Sequence, residues 1–307
     1  MIWGTVSSPS PPPREFFCAN SARLRGDPMA GTASPGTLWV LIEHRGGWPP
    51  NGFDGLSLEA GTKALVSSAA RAAGARILLV RRPGPRPRHG PKRWAVVRYH
   101  SSGAHQQLWG AWEQEEDLAG IASALESPGS LGLPPVILVC AHGRHDPCCA
   151  VRGRPVGLAL SERWPELVWE CSHVGGDRFA ANVVVAPDGV YYGGLDAESS
   201  VTVMEAHLAG RIHSEYLRGY SDLSSPQQVA VAAVLERFGP AGRHDYEVTE
   251  ALHEGERWRI RIAGKPPYPA DIDVELQAHR TTASQLTCLA RSPGSVVVYQ
   301  ATSVTSA

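Results

Sequence analysis

The sequence predicts an α/β fold in which two units of one design, each with a mixed sheet, follow one another, and a small α+β appendage closes the chain. Three observations predict it. The element order β-α-β-β-β-α reads off the sequence twice, as runs of strand length alternate with stretches of helical periodicity. A Pro-Gly and Pro-Pro break at 128–135 separates the two readings. Beyond residue 224 one helical stretch is followed by segments that alternate apolar and polar residues.

Residues 1–15, rich in Ser and Pro, lack the apolar content to pack and are expected to form a disordered tail. The first unit, 16–130, contains a strand at 38–43, a helix at about 58–73 that Gly74 stops, and a strand at 76–80. A Pro, Arg and Gly-rich connection at 81–92 leads to strands at 94–99 and 107–110 and to a helix opened by acidic residues at 113–117, which complement the helix dipole. The second unit, 131–223, repeats the order: strand 136–139, helix 151–163, strand 167–170, strand 182–185, a Pro-Asp-Gly turn at 187–189, strand 190–192 and helix 199–208. A βαβ unit followed by a hairpin and a closing helix is the core of a thioredoxin-like fold, so the expectation is two thioredoxin-like domains in tandem. No sequence self-similarity accompanies the repeat. The appendage, 224–307, has a helix at 226–238 and strands near 246–249, 258–262, 273–276 and 295–299, and its sequence offers no site.

Composition narrows the function. A formal net charge of -1 over 307 residues, 19% of them charged, gives no overall bias toward nucleic acid or an anionic membrane. No apolar run approaches the roughly 18 residues that a spanning helix needs. Pro and Ser stand where a secretory signal would carry its apolar core, so a cytoplasmic protein is expected. Six cysteines are too few for a disulfide scaffold, and four of them fall between 140 and 171, which points to metal or redox chemistry in a reducing compartment.

The chemistry concentrates at 140–182, where polar and sulfur-bearing residues follow the ends of two apolar strands and are expected on loops. Cys140, Cys148, Cys149 and Cys171 supply thiols, His142, His145 and His173 imidazoles, and Asp146 and Asp177 carboxylates. Soft thiolates with imidazoles suit zinc or iron–sulfur rather than calcium or magnesium, and the spacing matches no zinc finger. His142 and His145 read as residues that cap or position the loop, with ligation the lesser reading. Gly175 and Gly176 read as a backbone requirement for positive φ or close approach. Arg144, Arg152 and Arg154 either offset an anionic site or are solvated. Cys18 and Cys288 stand isolated and read as structural. There is no G-x-S-x-G, H-E-x-x-H, Walker A or dinucleotide-binding motif, and no carboxylate pair is selected for glycoside hydrolysis.

Two motifs, Cys140-x-His142-Gly143-x-x-Asp146-x-Cys148-Cys149-Ala150-x-x-Gly153-Arg154-Pro155 and Trp169-Glu170-Cys171-Ser172-His173-x-Gly175-Gly176-x-x-Phe179-Ala180-x-Asn182, resemble the thioredoxin-like ferredoxins of the sucrase/ferredoxin-like family, over about residues 18–208. The resemblance implies one [2Fe–2S] cluster held by two cysteines and two histidines. Its cysteine positions fall on Cys140 and Cys149, and its first histidine falls on His173. The second histidine position is Asp177 here, so the implied ligand set is Cys140 and Cys149 on one iron and His173 with Asp177, or with Cys171, on the other. Cys148 is the further possible ligand, though it reads better as a ligand's neighbour. A carboxylate in place of an imidazole should hold the cluster less well, lower its potential and weaken the pH dependence of that potential. The function expected is an electron carrier rather than a self-contained enzyme, working with a redox partner protein that the sequence does not identify. The alternatives are an iron-free thiol oxidoreductase or redox sensor using Cys140, Cys148 and Cys149, and a family member that has lost its cluster and acts as a binding protein.

Overall fold

The computed structural model describes residues 16–85 and 89–306, so the expected tail at 1–15 lies outside the described residues. The α/β class holds: among the described residues, six helices flank a ten-stranded mixed sheet and a four-stranded antiparallel one.

After a short helix, α1 (Cys18–Arg25), the first unit runs β1 (Leu38–Glu43), α2 (Ala60–Ala72), β2 (Arg76–Arg81), β3 (Lys92–Arg98), β4 (Gln106–Trp112) and α3 (Gly120–Glu126). A two-residue strand, β5 (Ser130–Leu131), is added on the edge of β4. The second unit runs β6 (Val136–Cys140), α4 (Pro147–Arg163), β7 (Val168–Cys171), β8 (Val183–Ala186), β9 (Val190–Tyr192) and α5 (Ala197–Leu208), and β10 (Leu217–Tyr220) pairs with β9. In each unit the first strand is central, parallel to the second and antiparallel to the third, giving the orders β2-β1-β3-β4 and β7-β6-β8-β9. That is the thioredoxin-like order expected from the sequence.

The two units share one sheet. β2 and β7 are antiparallel neighbours that overlap in two residue pairs, Val80 with Cys171 and Arg81 with Glu170. Because the overlap lies at the C-terminal end of both strands, the loops that follow the strands of each unit converge on one place. Ser172 continues the pairing past the strand, its N–H donating to Leu79 O at 2.7 Å and Leu79 N–H donating to its Oγ at 3.0 Å.

One face of the sheet is covered by α2 and α3 in the first unit, over Val40, Ile42 and Val96, and by α4 and α5 in the second, over Ile137, Val139 and Val183. The opposite face of both units forms one apolar layer that includes Trp39, Leu41, Leu78, Leu138, Val184, Cys140 and Cys171. The sheet is curled, since Trp109 of β4 stacks on Trp169 of β7 at 6.2 Å although three strands separate them. The appendage is α6 (Ser225–Phe238) packed on the meander β11 (Tyr246–Glu254), β12 (Arg257–Gly264), β13 (Ile272–Arg280) and β14 (Val297–Ser306).

Two departures from the sequence reading have physical causes. The second-unit helix begins at Pro147 rather than 151, because Asp146 caps it, its Oδ1 accepting from Cys148 N–H at 2.8 Å, and Pro147 occupies the first helical position, where a missing N–H costs nothing. Cys148 and Cys149 therefore sit in a helical first turn and not in a loop. β10 went unforeseen because Leu217, Arg218, Gly219 and Tyr220 form no apolar run, yet all four are buried. Among the described residues, no helix is long and apolar enough to cross a membrane.

Candidate metal centre

The converging strand ends bring Cys140, Cys149, His173 and Asp177 together. Cys140 ends β6, and its N–H donates to Asn182 O at 3.0 Å. Cys149 is presented from the first turn of α4. That helix can approach β6 because Gly153 lies against the Cys140 carbonyl, where a β-carbon would stand 2.0 Å from the oxygen. The loop after β7 carries His173 and then Gly175 and Gly176 at φ +94° and +78°, as the sequence suggested, before Asp177 opens a single 3-10 turn.

Within this group Cys149 Sγ donates to Asp177 Oδ1 at 3.3 Å, and His173 Nδ1 lies 3.0 Å from the same oxygen. Cys140, Cys149 and His173 each offer a donor atom within 4.8 Å of the others, as do His145, His173 and Asp177. Cys171 belongs to neither set among the described residues, although it lies beside Cys140 in the sheet, and it packs as a buried small apolar group. Cys148 points into a different cluster, described below.

The two uncommitted histidines separate clearly. His142 uses both ring nitrogens, Nε2 donating to Pro49 O at 2.8 Å and Nδ1 accepting from His173 N–H at 3.2 Å, so it is a neutral strut between the units. His145 stacks on His173 with ring centroids 3.7 Å apart, and its Nδ1 donates to Pro50 O at 3.2 Å. Its Nε2 lies 3.9 Å from Asp177 Oδ2, and a backbone carbonyl on the other ring nitrogen is the arrangement that prepares an imidazole for ligation. A cleft of about 340 Å³, lined by Pro50, Asn51, Phe53, His142, His145 and His173, opens over this side.

The electrostatics are those of a ligand set held together by shared protons. The hydrogen bond from Cys149 pulls the Cys140 thiol well below its usual range despite full burial, with His173 adding to the effect. Giving that bond, and burial, push Cys149 up. Burial works against a cationic His173, but Asp177 and Cys140 outweigh it and raise its pKa to about 9. Burial likewise opposes a charged Asp177, and His173 nevertheless holds its carboxyl below the usual value. At neutral pH the pocket thus carries protons on both His173 and Cys149, which a metal bound by this imidazole and thiolate must displace. Metal retention here is expected to fall as pH drops below about 9, roughly a hundredfold per unit for the two displaced protons, as cobalt titrations at pH 6, 7 and 8 would read.

Arg218 completes the site, and nothing in its local sequence announces it. The side chain is fully buried, with Nη1 donating to Gly175 O and to Asn182 Oδ1, both at 2.9 Å, while Asn182 Nδ2 donates to Gly176 O at 2.9 Å. Both carbonyls of the Gly-Gly turn are therefore fixed, and a guanidinium charge stands within electrostatic reach of Cys140 and Asp177. The sequence reading had left Arg144, Arg152 and Arg154 open between offsetting an anionic site and being solvated, and did not include Arg218.

The residues fit a thiophilic metal group. His173 Nδ1 is buried and makes no well-formed hydrogen bond despite its nearness to Asp177, an orphaned position at the site. Two buried thiols and an imidazole around it form the soft donor set that iron or zinc prefers. Comparison with protein-family models matches residues 29–219 to the family described as Sucrase/ferredoxin-like. The chain belongs to this family. The match covers both thioredoxin-like units of this sucrase/ferredoxin-like protein as far as β10 and leaves α1, α6 and the C-terminal meander outside it. Comparisons with curated proteins and with solved structures find no match.

Proposed function

We propose that this sucrase/ferredoxin-like chain is an electron-transfer protein that binds one [2Fe–2S] cluster through Cys140 and Cys149 on one side and His173 with Asp177 on the other. The observation that carries the reading is the buried pair of thiols within ligand reach of His173, whose Nδ1 lacks a hydrogen bond, beside the seam where β2 and β7 meet. Such a cluster, when bound, takes up and releases one electron. Cys140 and Cys149 supply the thiolates and exclude water by their burial, Arg218 offsets the negative charge of thiolates and carboxylate, and Asp177 accepts from Cys149 until the metal takes its place. His173, with 24% of its side chain exposed, lies at the cleft and gives a redox partner protein its shortest approach. His145 is the rival for the fourth ligand position, because its Nε2 faces the same carboxylate. All six cysteines are free, which suits a reducing compartment such as the cytoplasm.

The test is anaerobic purification and reconstitution, with visible absorption, EPR, iron and acid-labile sulfide measured on the wild type and on single variants. Cys140→Ser and Cys149→Ser are expected to lose the cluster, while Asp177→Ala and His145→Ala distinguish the fourth ligand by which of them changes the EPR spectrum. A wild type that takes up no iron under these conditions sinks the reading. A second reading, a single tetrahedral metal ion, is favoured by the compactness of the site, since the Cys140, Cys149 and His173 donors all lie within 4.8 Å of one another. Metal bound without acid-labile sulfide would select it.

A further inference from the structure

A second cluster of sulfur lies one residue along α4. We propose that Cys18, Cys148, Cys288 and Asp146 form a separate structural zinc site, which clips α1 and the β13–β14 connection onto the start of α4.

The geometry is that of one ion. Cys18 Sγ lies 3.6 Å from Cys148 Sγ, Cys148 Sγ lies 3.3 Å from Cys288 Sγ, and Cys288 Sγ lies 3.5 Å from Cys18 Sγ. Three thiolates on a tetrahedral zinc at about 2.3 Å stand roughly 3.8 Å apart, so a few tenths of an ångström of opening would admit it. A disulfide would bring two sulfurs to about 2 Å and strand the third thiol. Asp146 Oδ2, 3.7 Å from Cys18 Sγ, is the fourth donor.

A separate observation says that a cation belongs here. Asp146 is fully buried, and among the described residues no Lys, Arg or His forms an ion pair with it. Its oxygens accept N–H groups from Cys148 at 2.8 Å and Cys288 at 2.7 Å, which leaves the negative charge without a counter-charge. Buried carboxylates are ordinarily paired with a base or bound to a metal. A backbone donor and two helix starts also face the sulfurs. Cys18 N–H donates to Cys288 Sγ at 3.3 Å, and Cys18 and Cys148 each stand in the first turn of a helix, where thiolate charge is favoured.

The ligands come from places 270 residues apart, and Cys18 and Cys288 lie outside the family match while Asp146 and Cys148 lie inside it, so the site joins segments on either side of the matched region to that region. It gives the appendage a purpose that its sequence did not suggest, and it corrects the reading of Cys18 and Cys288 as isolated. Cys148 turns into this cluster while Cys149, its neighbour, turns toward Cys140, so the first helical turn of α4 serves two sites.

The experiment uses the full chain, purified with reductant and without oxygen, with zinc measured by mass spectrometry and by X-ray absorption. Cys140→Ser/Cys149→Ser protein, which lacks the first site, is expected to keep about one zinc per chain with three sulfurs at about 2.3 Å and one lighter donor. Cys18→Ser/Cys288→Ser in that background should lower zinc more than tenfold. Undiminished zinc in this quadruple variant overturns the proposal, as does a Cys140→Ser/Cys149→Ser protein that neither retains zinc nor binds added zinc. If the quadruple variant does not fold, the sulfur count in the Cys140→Ser/Cys149→Ser protein decides: fewer than three sulfurs overturns the assignment. The first site can fail its own iron test without affecting any of these outcomes.

Discussion

Replacing Glu170 by Ala is expected to cost about 3–5 kcal/mol of stability, because it leaves a buried guanidinium at the seam between the two units without its counter-ion. Arg81 Nε donates to Glu170 Oε2 at 2.7 Å, both side chains are buried, and the two residues face each other in the short β2–β7 ladder. The guanidinium has little else. Nη1 donates to Gly46 O at 3.2 Å, and the group lies 4.1 Å over the Trp48 ring. Neither neighbour is anionic, so Glu170→Ala strands a full charge in a seam of two residue pairs. Urea denaturation checks the size, and a loss below about 1 kcal/mol would mean that the seam relaxes to admit water. Replacing both partners by Met should recover most of the loss, since a buried ion pair is often no better than well-packed apolar side chains of similar volume. The effect should reach the proposed metal centre, because Trp48 adjoins Pro49, whose carbonyl accepts from His142. Glu170→Ala protein still folded at low urea is therefore expected to release metal faster.

The fold was legible where local pattern and tertiary role coincide. β1 and α5 announce themselves by apolar runs and helical spacing, and the repeated order of elements foretold two units of equal topology. What escaped was non-local. The Asp146-Pro147 pair is a recognised start signal, but the cysteines after it read as loop because thiols suggest sites before they suggest helices. β10 carries a buried Arg, which binary patterning assigns to the surface. The site was half legible: Cys140 and Cys149 lie in one motif and His173 and Asp177 in a second close behind it, so the family resemblance could name them together. Cys18 and Cys288 had no such neighbourhood, and no spacing rule connects residues at opposite ends of a chain. His145 was named in the sequence, but its candidacy depends on a carbonyl of the other unit, Pro50 O, that fixes its tautomer.

Arg218→Met should remove about 3 kcal/mol of stability and move the pH of metal release upward. The first effect follows from counting acceptors. Arg218 Nη1 serves Gly175 O and Asn182 Oδ1, Nε donates to Thr32 Oγ1 at 3.1 Å, and Nη2 donates to Thr32 O. Met fills the volume but leaves these acceptors buried without donors, at roughly 1–3 kcal/mol for each that cannot relax to another partner. The second effect comes from charge. Burial pulls the guanidinium pKa down to about 10, with Tyr191, Cys140 and Asp177 acting in the opposite direction, so it is still cationic at neutral pH. Removing that cation favours the protonated form of every group in the pocket, including the His173 and Cys149 protons that a metal must displace. Protons then compete with metal up to a higher pH, so the release midpoint rises. Arg218→Lys separates the two roles. Its ammonium keeps the charge but cannot reproduce the planar fork across Gly175, Asn182 and Thr32. It should therefore lose stability much as Met does while leaving the release midpoint near that of the wild type. A lysine variant whose midpoint moves as far as the methionine variant's would mean that Arg218 acts on the site through the position of the Gly175–Gly176 turn, and not through its charge.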